Sequence, residues 1–410
     1  METILYDWGA LLLRWVHIIT GIAWIGSSFY FMHLDAVMKA IPEIPAGKGG
    51  EAWEVHGGGF YQVRKYLVAP DKLPPELMWH KWESYSTWIS GFFLLVWVYY
   101  LGSDLYLIDP SVRPLSPWVA AMTGLGGLAL GWVVYNLLVS SSLARSEVAL
   151  AAVGFAFIMA MAFAFQQVFS GRGALIHTGA LMGTIMSGNV FMNIIPNQKK
   201  VIADLIAGRT PNPAYGKQAK TRSTHNNYLT LPVIFLMISG HYPLTFTSPY
   251  AWVMVGFVLI AGALVRHFYN ERHAGRGDKW WTWIVAALAM IAVIVLSMVT
   301  NPAGREFLRL AAPPESSVEA ASSPAAAVPD EVVDIITARC SMCHAREPLY
   351  AGIVAPPKGV RLDTPAEIAH EAGAIRVQAV LTHAMPPNNV TEITPDERQT
   401  LAAWLARTGL

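Results

Sequence analysis

The sequence predicts an all-α protein, in which an eight-helix transmembrane bundle precedes a small soluble helical domain. Three observations support this prediction. Apolar residues make up 54% of the chain and charged residues only 14%, whereas soluble proteins usually have about 25% charged residues. Eight apolar segments are long enough to cross a bilayer, which takes about 20 residues each. After residue 300 the composition changes, first to a tract rich in Ala, Pro and Ser and then to a helical pattern.

The eight predicted spans make residues 1–300 a transmembrane domain. They cover 9–34, 84–102, 117–139, 147–169, 174–195, 226–246, 249–269 and 280–300. The loops after the first, fifth and seventh spans carry most of the Lys and Arg, and such residues are retained on the cytoplasmic side of a membrane. These loops share one side, so both termini are expected outside the cytoplasm. The net charge of +1 and the lack of a basic face argue against nucleic-acid binding.

Residues 301–329 are expected to form a flexible linker, because a tract such as AAPPESSVEAASSPAAAVP cannot bury a core. The pattern of residues 330–410 then predicts a soluble helical domain. Its first helix has apolar residues at helical spacing, and its last, 395–407, has Trp404 on the face expected to be buried.

Residues 340–344, CSMCH, form the C-x-x-C-H pattern of c-type haem attachment. Cys340 and Cys343 are the residues that form thioethers to the haem, and His344 follows as the proximal iron ligand. Met385, just before the last helix, is the predicted second axial ligand, and His/Met ligation raises the reduction potential. The alternatives are a structural or redox CxxC and an ordinary core Met. The motif predicts a class I cytochrome c domain with one covalent haem c.

A second feature of the motif concerns the orientation of the proximal ligand. Pro356 or Pro357 follows at a distance where class I cytochromes place a proline whose carbonyl orients that histidine, and such support is general for metal-bound His. Attachment of haem c takes place outside the cytoplasm, which agrees with the orientation predicted from loop charge.

Ionisable groups inside a membrane are costly and are therefore functional candidates. Near the predicted outer surface, His17, His177 and His241 could ligate an additional haem b or line a quinol site. The alternative is that each His is hydrogen-bonded between helices.

Near the predicted inner surface, His56 precedes three glycines whose backbone N–H groups could approach an anion. His225 and Asn226 open the sixth predicted span. We therefore predict these three as catalytic residues, with Arg64 or Arg222 balancing the charge of an anionic ligand. The alternative is a loop followed by helix caps.

Four segments carry a resemblance to a known family: RWVHIITGIAWIGSSFYF, EVHGGGFYQVRKY, FMNIIPNQ and RSTHNNYLTLPVIFLMISGHYP. With the tethered CSMCH domain, they resemble the membrane-bound urate hydroxylases of bacterial purine degradation. The resemblance covers the whole chain: a urate oxidase N-terminal membrane domain, a linker and a cytochrome c domain. Its functional residues carry over to Cys340, Cys343, His344 and Met385.

The resemblance implies that urate and water give 5-hydroxyisourate, two protons and two electrons. The electrons would pass through haem c to a soluble cytochrome c or a terminal cytochrome oxidase, from a protein of the bacterial cytoplasmic membrane. One haem holds one electron, which motivates the additional haem b. Two other functions stay open: a non-catalytic quinol-to-cytochrome relay, and a transporter fused to a redox sensor.

Overall fold

The structure, a computed structural model, describes residues 2–310 and 328–408 except 45, 47, 68, 69, 71, 72, 352 and 354. About 71% of it is helical, in agreement with the predicted class. The helices are α1 Glu2–Val37, α2 Trp82–Leu95, α3 Ser103–Tyr106, α4 Pro117–Ser140, α5 Glu147–Gln166, α6 Gly171–Gly188, α7 Ile195–Ile206, α8 Pro213–Ser239, α9 Pro243–Phe246, α10 Ala251–His273, α11 Trp281–Thr300, α12 Pro302–Phe307, α13 Asp330–Arg339, α14 Ser341–His344, α15 Pro365–His370, α16 Ala372–Ile375 and α17 Pro395–Arg407.

Shorter elements complete the part of the chain that the structure describes. Three π-helical segments are Val96–Tyr100, Asn189–Ile194 and Arg376–Leu381, and three 3₁₀ turns are Ser142–Arg145, Pro357–Gly359 and Pro387–Asn389. Two strands, β1 Gly49–His56 and β2 Gly59–Tyr66, form an antiparallel hairpin.

Five helices of the described residues are long and apolar enough to cross a membrane. They cover Ile4–Val37, Pro117–Ser140, Glu147–Gln166, Ala251–His273 and Trp281–Thr300. Each corresponds to one of the eight predicted spans, and a chain with five such helices is compatible with a membrane protein.

The other three predicted spans correspond to helices that are interrupted or partly polar. Helix α2 continues into a π-helical segment, and α6 continues through a second one into α7. Helix α8 begins at Pro213 and ends at Ser239, earlier at both ends than the predicted 226–246, and its first half contains Lys217, Lys220 and Arg222. The count of eight membrane crossings therefore stays a prediction.

The β-hairpin was not predicted, so an all-α description is wrong for residues 49–66. Gly57 and Gly58 form a two-residue turn, and both have positive φ angles, +59° and +82°. This conformation is the one that matches the twist of a hairpin, and glycine adopts it without steric cost. The glycines that we interpreted as an anion-binding loop therefore serve as a tight turn.

Helix α6 lies at the centre of the bundle, because eleven of its residues are buried. The core around it is formed by residues of α2, α4, α5, α8 and α10. We call the end of the bundle that carries the hairpin the inner end, and the end at which α11 stops the outer end.

The C-terminal residues have a core of their own. Val332, Ile336 and Leu401 pack with Trp404, which is 1% exposed, against the helices from α13 to α17. Trp404 is thus buried, as predicted. Helix α12 occupies the start of the predicted linker 301–329, and most of that segment, 311–327, lies outside the described residues.

Helix α17 begins with a capping box that also ties it to α13. The Thr394 side chain accepts a hydrogen bond from the Glu397 backbone, and the Glu397 carboxylate accepts one from the Thr394 N–H at 2.7 Å. Arg339 also donates to Glu397, with 3.0 Å between Nη2 and Oε1. Partial burial alone would raise the pKa of Glu397, but these bonds together lower it below its usual range.

Because the pKa of Glu397 is lowered by folding, its contribution to stability is present above the unfolded pKa and is lost as pH falls through the folded pKa. Glu397→Gln should therefore weaken hydrogen-exchange protection of α17 at pH 7 and flatten the loss of protection below about pH 4.5. Exchange on the full-length protein, corrected for intrinsic rates, measures this. Glu371→Gln, an acidic position in the same domain, is the control. Equal pH profiles for Glu397→Gln and the unmodified protein would contradict the prediction.

Candidate functional site

A band of buried and half-buried polar side chains crosses the bundle near its inner end. Tyr135 marks the depth, because it lies five residues before the end of α4, or about 8 Å along the helix axis. We call this set the polar band: Tyr135, Asn136, Asn189, Arg222, His225, Asn226, Asn227, Tyr228, Arg266, His267 and Asn270. Helix α8 supplies the centre of the band and faces α4 and α6 on one side and α10 on the other.

On the α4 side, Arg222 is the hub of a hydrogen-bonded network. Its Nη1 donates to Asn189 Oδ1 at 3.1 Å and its Nη2 donates to Asn136 Oδ1 at 2.7 Å. Its guanidinium also lies over the ring of Tyr135, 5.2 Å from the centroid. Arg222 is 5% exposed, so this network holds a positive charge inside the bundle.

The amides of this side satisfy one another. Asn189 Nδ2 lies 2.9 Å from both Asn226 Oδ1 and the Tyr135 hydroxyl. Asn226 Nδ2 in turn donates to the Met186 carbonyl at 2.9 Å. Asn189 begins the second π-helical segment, and such segments often occur at functional sites. At the start of this segment, the Asn189 side chain connects the end of α6 to α8 through hydrogen bonds with Arg222 and Asn226.

The predicted base, His225, belongs to the same network. Its Nδ1 lies 2.8 Å from the Tyr135 hydroxyl. In the tautomer whose Nδ1–H donates to the tyrosine oxygen, Nε2 has a free lone pair and can accept a proton.

On the α10 side, Asn227 takes the central position and is 0% exposed. Its Oδ1 accepts hydrogen bonds from Arg266 Nε at 3.2 Å and from Asn270 Nδ2 at 3.1 Å. Its Nδ2 is buried without a partner. Tyr228 and His267 flank this group, with 3.1 Å between the hydroxyl and Nδ1, so both sides of α8 carry a tyrosine–histidine pair.

Both arginines of the band lack an acidic partner among the described residues. Arg266 is 7% exposed, and its guanidinium lies 3.9 Å from the ring centroid of Phe29. Glu271, the nearest acidic residue along α10, pairs instead with Arg276 at 2.6 Å. A buried charge without a counter-ion is costly, so the band is suited to bind an anion.

The structure does not bring His56 into this band. His56 lies at the exposed end of β1, beside the Gly57–Gly58 turn. Arg64, the other predicted counter-charge, donates to Glu51 across the hairpin at 2.8 Å. Of the three predicted catalytic residues, His225 and Asn226 therefore share one network and His56 lies apart from it.

A cleft of about 460 Å³ opens at the inner end, between the hairpin, α7 and α8. Polar side chains in its wall include Lys65, Gln198, Lys220 and Ser223. Ser223 lies one helical turn before Asn227 on the same face of α8. The cleft thus reaches, at Ser223, to within one helical turn of the polar band.

At the outer end, the predicted haem ligand His177 is 0% exposed and has partners for both ring nitrogens. Nδ1 lies 2.8 Å from the Gly173 carbonyl and Nε2 lies 3.1 Å from the Tyr100 hydroxyl. A Cβ placed on Gly124 would come within 2.5 Å of Nε2. The surroundings of His177 therefore do not fit a porphyrin, and they match the alternative of a His hydrogen-bonded between helices.

The other two outer histidines have different surroundings. His17 Nδ1 lies 2.9 Å from the Thr87 carbonyl, whereas His241 is exposed beyond the end of α8. Among the described residues, neither a hydrogen bond nor a ring contact joins any two of the three. The additional haem b stays a prediction without a fitting site at His177.

In the C-terminal residues, the CSMCH motif forms the short helix α14 and the residue just before it. His344 Nδ1 lies 3.0 Å from the Val360 carbonyl, an arrangement in which Nδ1–H donates and Nε2 is free to ligate a metal. The carbonyl that we expected from Pro356 or Pro357 comes instead from Val360, because those prolines begin a 3₁₀ turn that ends just before it.

The two thiols of the motif are neutral groups. Burial raises the pKa of Cys340 to about 12 and also raises the pKa of Cys343. A redox-active CxxC or a thiolate metal site needs a lowered thiol pKa. The environment therefore disfavours the redox alternative for this motif.

The loop around Met385 is held by the half-buried Arg398. Arg398 donates to the carbonyls of Met385, at 3.0 Å, and of Ala379. Burial lowers the pKa of Arg398 to about 10. Three buried polar atoms of this domain lack partners: Trp404 Nε1, Asn388 Nδ2 and Asn389 Oδ1. A free His344 Nε2 and the unpartnered buried N–H donors fit a haem with acidic side groups.

Comparison with known proteins gives one decisive finding. The family description "urate oxidase N-terminal" matches residues 3–297, which cover the bundle, the hairpin and the polar band. The chain belongs to the urate oxidase N-terminal family. The comparisons with curated proteins and with solved structures gave no match. The family links the bundle of this urate oxidase N-terminal protein to urate, and its match ends before the CSMCH motif.

Sequence reasoning identified Arg222, His225 and Asn226 and missed other residues of the band in this family member. Tyr135, Asn189, Arg266 and Asn270 were not singled out, although each is a polar residue within or beside an apolar segment. Polar residues of transmembrane segments that recur near one depth were the available signal. Their pairing across helices could not be read from spacing along the chain.

The closed network around Arg222 predicts a stability effect. Arg222→Leu should lower the free energy of unfolding by on the order of 1–3 kcal/mol, because it leaves the Asn136 and Asn189 oxygens buried without donors. Thermal unfolding of the detergent-purified protein measures the effect, and the exposed Arg145→Leu is the matched control. Equal unfolding temperatures for both variants would show that the network carries little energy.

Proposed function

We propose that this protein is a membrane-bound urate oxidoreductase that converts urate and water into 5-hydroxyisourate, two protons and two electrons. We further propose that the electrons pass to a haem c on the C-terminal domain and then to a soluble cytochrome c or a terminal oxidase. The observation that carries the proposal is the polar band, with two buried arginines and no acid, in a chain of the urate oxidase N-terminal family. Urate is an anion at neutral pH, and the band offers it positive charge and amide groups.

Each side of the band would contribute groups of the kind that the reaction needs. An arginine balances the substrate charge, and amides of the Asn type donate to and accept from a planar heterocycle. His225, held by Tyr135, is the predicted base that removes a proton from substrate or water. His267, held by Tyr228, is a second imidazole of the same kind. Asn226 would orient α8 in this network.

Electron acceptance is proposed for the C-terminal domain. Cys340 and Cys343 would hold the haem, and His344 and Met385 would ligate its iron. When bound, such a haem accepts and releases single electrons and, with both axial positions filled, does not bind O₂. The turn Pro387–Asn389 after Met385 contacts α3 at the outer end of the bundle, which supports electron entry from the bundle.

Addition of urate under argon should reduce the haem and give the visible bands of a reduced c-type cytochrome. His344→Ala should abolish the band change, because the iron loses its proximal ligand. The exposed His370→Ala in the same domain is the control and should retain it. If a quinol but not urate reduced the unmodified protein, the proposal would be wrong and a quinol relay would replace it.

The ligand role of Met385 gives a separate expectation. Met385→His should retain a covalently bound haem and lower its reduction potential, because Met ligation raises the potential relative to bis-His ligation. A spectroelectrochemical titration of the membrane-extracted protein measures this. An unchanged potential would exclude Met385 as the axial ligand while leaving urate oxidation open.

A further inference from the structure

The two sides of α8 differ in one respect that bears on where an anion binds. Around Arg222, the amide oxygens and nitrogens of Asn189 and Asn226 all take part in hydrogen bonds. A ligand entering there would have to break bonds that already exist. On the α10 side, the amide of Asn227 is fully buried and its Nδ2 has no partner. The unused bonding capacity therefore lies beside Arg266.

The orientation of the Asn227 amide follows from chemistry. An arginine side chain has donors only, so the atom of Asn227 that faces Arg266 Nε at 3.2 Å must be the oxygen. The NH₂ group must then point away from the oxygen's partners. The position of Arg266 therefore fixes which atom of the Asn227 amide is the oxygen, and the atom left without a partner is the nitrogen.

The ligand that fits these groups is an acceptor with negative charge. Asn227 Nδ2 offers N–H donors, and the Arg266 guanidinium offers donors together with an uncompensated charge. Phe29 covers one face of the guanidinium at 3.9 Å, whereas the N–H donors lie in the guanidinium plane and are not blocked by that contact. A carboxylate could neutralise the charge, but the described residues contribute none here.

Access comes from the inner end. Lys220 and Ser223 line the cleft, and together with Asn227 they lie at i, i+3 and i+7 on one face of α8. Lys220 also pairs with Asp35 of α1, the helix that carries Phe29. The cleft therefore approaches Asn227 to within one helical turn, at Ser223.

We propose that Asn227 and Arg266 bind the anionic oxygen of the substrate, with Arg266 as its counter-charge. This inference rests on the proposed function and replaces Arg64 or Arg222, the counter-charges expected from the sequence. Arg222, its amides and His225 then act as the clamp that holds α8 against α4 and α6, and His267, paired with Tyr228 on the α10 side, takes the role of the base. The binding chemistry, an acceptor carrying negative charge, is shared by urate and by inorganic anions such as chloride.

The decisive variant is Asn227→Asp, which keeps an oxygen for Arg266 and Asn270 and turns the free donor into a negative oxygen. A merely structural Asn227 would tolerate this change. A substrate-binding Asn227 would not, because the new carboxylate pairs with Arg266 and repels an anion. We expect the Kd for radiolabelled urate and the KM for urate-driven haem reduction to rise on the order of 10-fold or more, with kcat changed less. Gln218→Glu makes the same change at an exposed position of α8 and should have no effect.

The outcomes separate this inference from the proposed function. If urate reduces the haem and Asn227→Asp binds urate like the unmodified protein, the inference is wrong while the proposed function stands. If chloride binding depends on Asn227 and urate binding does not, Asn227 and Arg266 bind an inorganic anion and the inference is again wrong. If urate fails to reduce the haem of the unmodified protein, the proposed function is lost. Urate binding that still depends on Asn227 would then support Asn227 and Arg266 as an anion-binding site.

Discussion

Positive charge that is buried with no carboxylate partner among the described residues is the constraint on which the inner half of this bundle depends. Arg222 and Arg266 lie on opposite sides of α8, and each is at most 7% exposed. Desolvation of a charge is tolerated only where hydrogen bonds replace water. This requirement accounts for Asn136, Asn189 and Asn227, whose side-chain oxygens accept hydrogen bonds from the guanidinium groups.

The same constraint distributes tasks between the two sides of α8. The Arg222 side is closed, since its amides satisfy one another and connect α8 to the π-helical segment after α6. The Arg266 side keeps an unused donor on Asn227. A rigid, satisfied network beside an unsatisfied one is a suitable arrangement for a binding site, because the closed side fixes the position of the open one.

The two ends of the bundle serve different purposes. The polar band lies near the inner end, and Asn226 is thirteen residues from the end of α8 at Ser239, or about 20 Å along the axis. At the outer end, His177 is packed between Phe165 and Phe169 with both ring nitrogens bonded. Beyond it, the C-terminal domain presents the CSMCH motif with His344 oriented by Val360. Substrate binding and electron acceptance are thus proposed at opposite ends of one bundle.

The sequence by itself determined the helical class, the apolar helices, the CSMCH motif, the buried Trp404 and the urate family. These features depend on local composition and on spacing within one helix or motif. It did not determine the hairpin, because the Gly57–Gly58 turn has meaning only once its flanking residues pair. Tertiary structure alone decided that His225 and Asn226 join Arg222 while His56 does not, and that Val360 orients His344. Such pairings depend on which helix faces meet in space, and a single sequence carries no direct record of those contacts.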